Sequence, residues 1–316
     1  MPSLPVFDLD SHSLRIVQAL AEHGSITAAA DALGYSQPAI SQHLKRLEQR
    51  LGMPVIERVG RGVRLTEPGR VLARHALPVT TALDAAAGEL AELRGLRSGR
   101  VRLAAFPSAS PTIVPRLLAT MSEQHPGIGI TYLEAEPPEA VAAVRENRAD
   151  IALTFSYPGD RIDPHRESAN GLAVTELRRE EMMLVLPSGH AHGTSELVDL
   201  AALDGEAWIA GCPRCRGHLL ELCDRGGFAP RIAYETDNFV AVMSMVAAGL
   251  GVAVLPTLAI ESARIPAGVV VRPTANRDHR TVHIVAAEGA GRVPAVAATL
   301  QVLRRLDDDL LALPAN

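Results

Sequence analysis

Aromatic side chains are scarce: one tryptophan, four tyrosines and five phenylalanines make up 3% of the 316 residues. That argues against a reader of single-stranded nucleic acid, which stacks successive bases on aromatic platforms. The stretch from Met1 to Asp10 lacks both a basic start and a long apolar run, so no secretory signal is expected and a cytoplasmic location is. In that compartment three cysteines are not expected to form a permanent disulfide. One uncharged segment, Asn238 to Ile260, is long enough to suggest a membrane span. Gly249 and Gly251 split it and Pro256 closes it, so it reads as a buried helix (Phe239 to Ala248) followed by a strand (Val252 to Leu255), with no membrane partner. Also missing are G-x-S-x-G, a P-loop, H-E-x-x-H and G-x-G-x-x-G. A hydrolase or dehydrogenase is therefore not expected, and no catalytic residue, metal or cofactor is assigned.

What is present concentrates between residues 25 and 66. Ser25 is placed to cap a short helix through Ala28, Ala29 and Leu33, which Gly34 ends. The turn Gly34-Tyr35-Ser36 is short, so the next helix must cross the first steeply. Ser36 caps that helix, and Pro38 falls in its first turn, where a missing N–H removes no ladder bond. Ile40, Leu44, Leu47 and Leu51 recur at helical spacing and predict an apolar stripe. The opposite face carries Gln37, Ser41, Gln42, Lys45, Arg46, Gln49 and Arg50. Uncharged polar groups come first and basic groups later, the order in which recognition helices meet base edges and then phosphates. Two short strand-like runs, Val55 to Arg58 and Val63 to Leu65, flank Gly60-Arg61-Gly62 and predict a hairpin wing whose arginine reaches a groove or phosphate.

The chain as a whole carries a net charge of -5, unlike a general nucleic-acid binder. The balance reverses locally. Between Ser36 and Thr66, Lys45, Arg46, Arg50, Arg58, Arg61 and Arg64 face only Glu48 and Glu57. Counterion release depends on the patch that meets phosphate, not on the whole chain.

These residues resemble the LysR-type transcriptional regulators: AAAxxLxxSQPAISxxLKxLExxLGxxVxER from Ala28, then RGVxLTEPG from Arg61. The resemblance implies a sequence-specific reader of double-stranded DNA that controls transcription. It implies DNA contacts from Ser25, Thr27, Ser36, Gln37, Pro38, Ser41, Gln42, Lys45, Arg46, Arg50, Arg61 and Arg64, and a functional contact with RNA polymerase. It also implies a small-molecule co-inducer and assembly as a homodimer or homotetramer.

Thr66 is placed to cap a long helix running to about Leu93. Leu72, Ala76, Val79, Leu83, Ala86, Leu90 and Leu93 alternate at spacings of four and three, a heptad seam that buries itself best against a second copy. Pro78 inside it removes one backbone bond and predicts a kink. Gly95 to Gly99 reads as a hinge. The expected division is thus a winged helix-turn-helix at 1–66, a linker and dimerisation helix at 67–99, and a regulatory domain at 100–316.

In that last region apolar strand-like runs (Val101 to Ala105, Ile128 to Leu133, Ile151 to Phe155) alternate with helical stretches (Pro111 to Gln124, Pro138 to Asn147), which predicts parallel βαβ units. A second set follows, with Met182 to Leu186, Ala207 to Ala210, a helix from about Cys215, and Ile232 to Tyr234. Val269 to Val271 and Val282 to Ala286 are expected to rejoin the first set, followed by a helix from Pro294 to Leu311. Two α/β lobes, 100–160 plus 266–316 and 161–265, resemble the family's periplasmic-binding-protein-like sensor. Ligands in such sheets sit beyond the carboxyl ends of strands, against helix N-termini. Candidate effector contacts are therefore Ser108, Ser110, Thr112, Thr154, Phe155, Cys212 and Asn238, with Phe106 as an apolar wall and a small polar or anionic metabolite as ligand.

Cys212, Cys215, His218 and Cys223 form C-x2-C-x2-H-x4-C, which is not a common zinc spacing. A thiol- or metal-responsive regulator using Cys212 and Cys215 is the alternative reading. A stand-alone solute-binding protein is the remote one, separated from the first by the N-terminal head.

Overall fold

The computed structural model describes residues 7–60, 62–93, 99–160 and 171–311. The first helix, α1 (Ser11–His23), precedes the motif and was not assigned from sequence; Asp10 caps it by accepting from the Ser13 amide. Its residues Leu14, Ile16, Val17 and Leu20 are buried against those of α2 (Ile26–Leu33) and α3 (Gln37–Leu51). The helical stripe expected in α3 is the one observed, because Ile40, Leu44, Leu47 and Leu51 are its buried residues. Gly52 ends α3 at φ +69, a left-handed conformation that costs glycine no Cβ clash. The wing follows as β1 (Ile56–Val59), offset by one residue from the expected run, antiparallel to β2 (Gly62–Leu65), which begins one residue earlier than expected.

Next comes α4 (Glu67–Leu93), with Pro78 inside it. Gly69 in its first turn lies so close to the wing that a Cβ there would stand 2.1 Å from the Val55 carbonyl oxygen. The predicted seam is divided. Leu72 and Ala76 are buried in the core of the head, so they are not available to a second chain. Val79, Leu83, Ala86 and Leu90 are exposed along one face, while Leu77, Thr80, Thr81 and Ala85 on the other face are buried. Leu77 belongs to the core of the following domain. The helix therefore packs inward within its own chain and leaves an apolar stripe outward. The hinge expected at Gly95 to Gly99 lies outside the described residues, apart from Gly99 itself.

The first α/β lobe comprises β3 (Gly99–Ala105), α5 (Ile113–Gln124), β4 (Ile128–Glu134), α6 (Pro137–Arg145) and β5 (Ile151–Ser156). β3 lies parallel to both β4 and β5, the βαβ arrangement expected. α5 starts two residues later than predicted because residues 107–112 form consecutive turns.

The lobe boundaries differ from the expected ones. β6 (Leu172–Pro187) is a single strand of 16 residues. Its first part pairs with β11 (His279–Ala287) in the first lobe, and Met182 to Pro187 continue into the second. The outward crossing is therefore a through-going strand near Met182, not a connection near residue 161. The second lobe adds β7 (Ala207–Ala210), α7 (Pro213–Arg225), β8 (Arg231–Glu235), α8 (Phe239–Ala247), β9 (Ala253–Pro256), α9 (Thr257–Ser262) and β10 (Val269–Pro273). β10 pairs with Met183 to Pro187 of β6, so Val269 to Val271 belong to the second lobe and not, as expected, to the first. The return crossing falls between β10 and β11. Apolar runs alone do not say which sheet accepts a strand, because every buried strand of an α/β sheet reads alike.

α10 (Pro294–Leu311) closes the first lobe against α5. The uncharged segment folds as read, into α8 and β9, and no helix among the described residues is long and apolar enough to cross a membrane.

Candidate functional site

Two surfaces carry chemistry. In the head, the Ser36 hydroxyl accepts from the Ala39 amide at 3.4 Å and Ser25 accepts from Ala28 at 3.0 Å. Both serines therefore position helices first. Gln37, Pro38, Gln42, Lys45, Arg46 and Thr27 are exposed. Gln37 donates through Nε2 to the Ser41 hydroxyl at 2.9 Å. The two foremost base-reading candidates thus lie on one face, preorganised against each other, and Lys45 and Arg46 follow one turn on. Two of the predicted contacts already hold carboxylate partners. Arg50 bonds Asp10 at 2.8 Å and Ser13 at 3.0 Å, tying α3 to α1. Arg64 pairs with Glu57 across the wing at 2.7 Å. Burial pushes the Asp10 carboxyl up, but the Ser13 amide and Arg50 outweigh it and hold it at about 2. Arg58, counted in the basic patch but not chosen from sequence as a contact, is exposed on the wing. Arg61 lies outside the described residues.

The second surface is a cavity of about 70 Å³ at the junction of the lobes. Its first-lobe wall is Phe106, Ser108, Glu136, Phe155 and Arg280, and its second-lobe wall includes Ala210, Cys212, Cys215, His218, Asp237 and Phe239. Three of the seven expected contacts, Ser108, Phe155 and Cys212, line it. The other four do not. The Ser110 hydroxyl meets the Tyr132 hydroxyl, and Thr112 donates to the Ser108 carbonyl at 2.7 Å. Thr154 is buried inside the sheet opposite His283. Asn238 caps α8, accepting from the Val240 and Ala241 amides at 3.0 and 3.2 Å. The direction of each of these side chains is decided by local capping, turn bonding or the pleat of β5.

Sequence reasoning missed Arg280. It lies on β11, remote from the motifs, and is 2% exposed. Its Nε donates to Glu180 at 2.6 Å and its terminal nitrogen to the Ser108 hydroxyl at 2.6 Å. The guanidinium also lies 4.9 Å from the Phe106 ring centre and 4.3 Å from that of Phe155. Charge pairing and cation–π contact together hold one cation in the apolar wall.

The cysteines separate by environment. Cys212 caps α7, its sulfur accepting from the Cys215 amide at 3.4 Å. The Sγ atoms of Cys212 and Cys215 are 2.9 Å apart. The Cys212 thiol bonds the Cys215 sulfur, which pulls the Cys215 pKa down despite burial, with help from the charge of Arg280. The same bond pushes Cys212 up. Cys223 is fully buried beside Leu219 and Leu222, and burial pushes it up to about 12. These cysteines and His218 do not converge as a three-ligand metal group among the described residues.

His218 is 5% exposed and lies flat on Tyr157 with ring centres 3.8 Å apart. Burial, then the charge of Arg225, lowers its pKa to about 4. The unfolded chain takes a proton near pH 6.5 while the folded one resists until about 4, so stability is full above 6.5 and falls as pH drops through that window. The expected loss is roughly 2–3 kcal/mol. Urea melts of His218→Phe, which keeps the stack, should show a shallower decline between pH 7 and 4.5; an unchanged slope would assign the acid sensitivity elsewhere.

Residues 11–70 match the family model described as bacterial regulatory helix-turn-helix protein, lysR family, and residues 94–307 match the LysR substrate binding domain. The chain is 29% identical over 300 residues to the Synechococcus elongatus protein described as "Probable HTH-type transcriptional regulator LrrA", covering 95% of this chain and 98% of that one. It is 31% identical over 285 residues to a Mycobacterium avium protein described as "Probable hydrogen peroxide-inducible genes activator", covering 88% of each. A solved OxyR mutant from Corynebacterium glutamicum superposes with a TM-score of 0.58 at 25% identity, covering 98% of this chain and 96% of that one. A DNA-reading head, a linking helix and a two-lobed sensor with a cavity at its junction thus occur in one chain, which belongs to the LysR family of transcriptional regulators and is a DNA-binding regulator with an effector-binding domain, not an enzyme.

Proposed function

We propose that the chain acts in the cytoplasm as a homodimer or higher oligomer, reading two half-sites of double-stranded DNA through paired α3 helices. A small effector in the cavity at the lobe junction alters the relative placement of the heads. The observation that carries this reading is the position of the cavity: walls from both lobes close on it, so a ligand there bonds differently to open and closed lobes. Only such a difference in affinity shifts a conformational equilibrium. The division at 1–66, 67–99 and 100–316 serves it, with α4 joining reader to sensor, and control of transcription passes through contact with RNA polymerase.

In the head, Gln37 and Ser41 read bases while Lys45 and Arg46 hold phosphate. Gln37→Ala is expected to change site preference by about 1–3 kcal/mol. Lys45→Ala should weaken every sequence and reduce the salt slope by about one. Anisotropy titrations on duplexes selected from a random library, at several salt concentrations, distinguish these roles. Equal losses on all duplexes for both variants would end the division.

A second reading rests on the Cys212–Cys215 contact, and the hydrogen peroxide named in the description of the Mycobacterium avium relative accords with it. The Cys215 thiolate attacks one oxygen of a peroxide, the O–O bond breaks, and a sulfenic acid forms with release of hydroxide, which takes up a proton as water. The Cys212 thiol then displaces the sulfenic oxygen as a second water, leaving a disulfide. Thiol titration and mass spectrometry after stoichiometric peroxide should show loss of two thiols in the wild type and a retained sulfenic acid in Cys212→Ser. Three thiols surviving peroxide would remove this reading and leave the effector reading standing.

A further inference from the structure

Resting on the cavity as the effector site, the charges and hydrogen-bonding groups in its wall restrict what the effector is. The features that first suggest an anion are closed. At the turn before α5, the amides of Ala109 and Ser110 donate to the Phe106 carbonyl, and those of Thr112 and Val114 to the Ala109 carbonyl. The N-termini of α7 and α8 are capped by Cys212 and Asn238. Among the described residues Arg280 is the one arginine in the cavity wall, and its bonds run to Glu180 and Ser108. A carboxylate entering the cavity would find its cation already paired.

What remains open is chiefly hydrogen-bond acceptors. Glu136 precedes α6 but does not cap it. It turns into the cavity, where its Oε2 is buried without a partner. Asp237 stands near it at the rim, close enough to push the Glu136 carboxyl up in addition to burial. Glu136 and Asp237 thus line the cavity, while the guanidinium of Arg280 is already paired with Glu180. His218 supplies an independent observation: it is 5% exposed, lines the cavity, and neither ring nitrogen has a partner. A buried polar group left unpaired is costly, so an unpartnered imidazole, whose neutral ring offers one acceptor, and an unpartnered carboxylate oxygen in the same cavity wall mark the place of a ligand that brings donors. The remaining wall is apolar, with Phe106, Phe155, Ile209 and Phe239 facing the space. Its volume of about 70 Å³ holds a handful of non-hydrogen atoms unless the lobes part.

We propose that the effector is an amine: a small molecule with an apolar body against the phenylalanines, and an ammonium group donating to Glu136 and to His218, with Asp237 reinforcing the field from the rim. Like charges then exclude carboxylates of the same shape.

The test uses the full chain and three probes that share one apolar body: isobutylamine, isobutyrate and isobutanol. Calorimetry should show isobutylamine binding at least tenfold more tightly than isobutyrate, and at least tenfold more weakly to Glu136→Gln than to wild type. Melts without ligand establish that each variant is folded. Absence of amine binding to wild type, or an affinity in Glu136→Gln within twofold of wild type, overturns the proposal. Ala210→Leu, which fills the cavity from the opposite wall, separates this failure from failure of the site; Val242→Phe replaces it if it does not fold. Isobutyrate bound more tightly than the amine and lost on filling would overturn the amine class while keeping the cavity as the effector site. Either probe bound equally well to the filled variant would lie outside the cavity, and both readings would fall.

Discussion

Replacing Arg280 by methionine should lower the stability of the sensor by about 3–5 kcal/mol, the cost of stranding a buried charge when its partner is removed. The partner is Glu180, whose side chain has no exposure and receives the guanidinium at 2.6 Å. Glu180 also accepts from the Leu258 amide at 3.0 Å, so the pair fastens the long crossing strand to the start of α9 as well as to β11. The Ser108 hydroxyl loses its donor at the same time. The paired change Arg280→Met with Glu180→Leu should recover much of the loss, because well-packed apolar groups replace buried ion pairs at little cost. Urea unfolding of both variants, fitted with a common slope, measures the difference. A single substitution costing under about 1 kcal/mol would mean that the carboxylate finds water or another cation, contrary to the burial observed.

The second large effect is expected on the outward face of α4. Leu83 is 50% exposed and Leu90 63%, aligned with Val79 and Ala86. Covering such a stripe with its own copy from a second chain buries apolar surface that the single chain leaves in water. Leu83→Asp would place a charge in that contact and should weaken self-association by roughly a thousandfold, or about 4 kcal/mol. Binding to tandem half-sites should fall with it, while binding to a single half-site changes little. Sedimentation at several concentrations decides the matter. A variant that stays dimeric would put the interface elsewhere and leave the stripe as a solvated face.

The head was legible in the sequence almost residue by residue because its determinants are local. Ser25, Ser36, Gly34 and Gly52 act on the turn in which they stand, and the stripe from Ile40 to Leu51 needs only helical periodicity to be recognised. What was not legible there involved partners far along the chain: Arg50 reaches back 40 residues to Asp10, and α1 has no motif of its own. The same contrast holds along α4. Its heptad spacing was plain, but Leu72 and Ala76 are buried by the head and Leu77 by the sensor, so only the later seam positions stay outward.

In the sensor, the sequence by itself determined the alternation of strands and helices, the interrupted apolar segment that becomes α8 and β9, and the strand ends near which a ligand site forms. These follow from chain-local patterns of hydrophobicity, glycine and proline. Tertiary structure alone decided that β6 runs through both lobes, that β10 belongs to the second, and that Ser108 answers to Arg280, 172 residues away. It also decided that the cavity presents Glu136, Asp237 and an unpartnered imidazole, with Arg280 already paired. Charge in a site is the sum over side chains that the fold brings together from separate strands, and no local pattern encodes that sum.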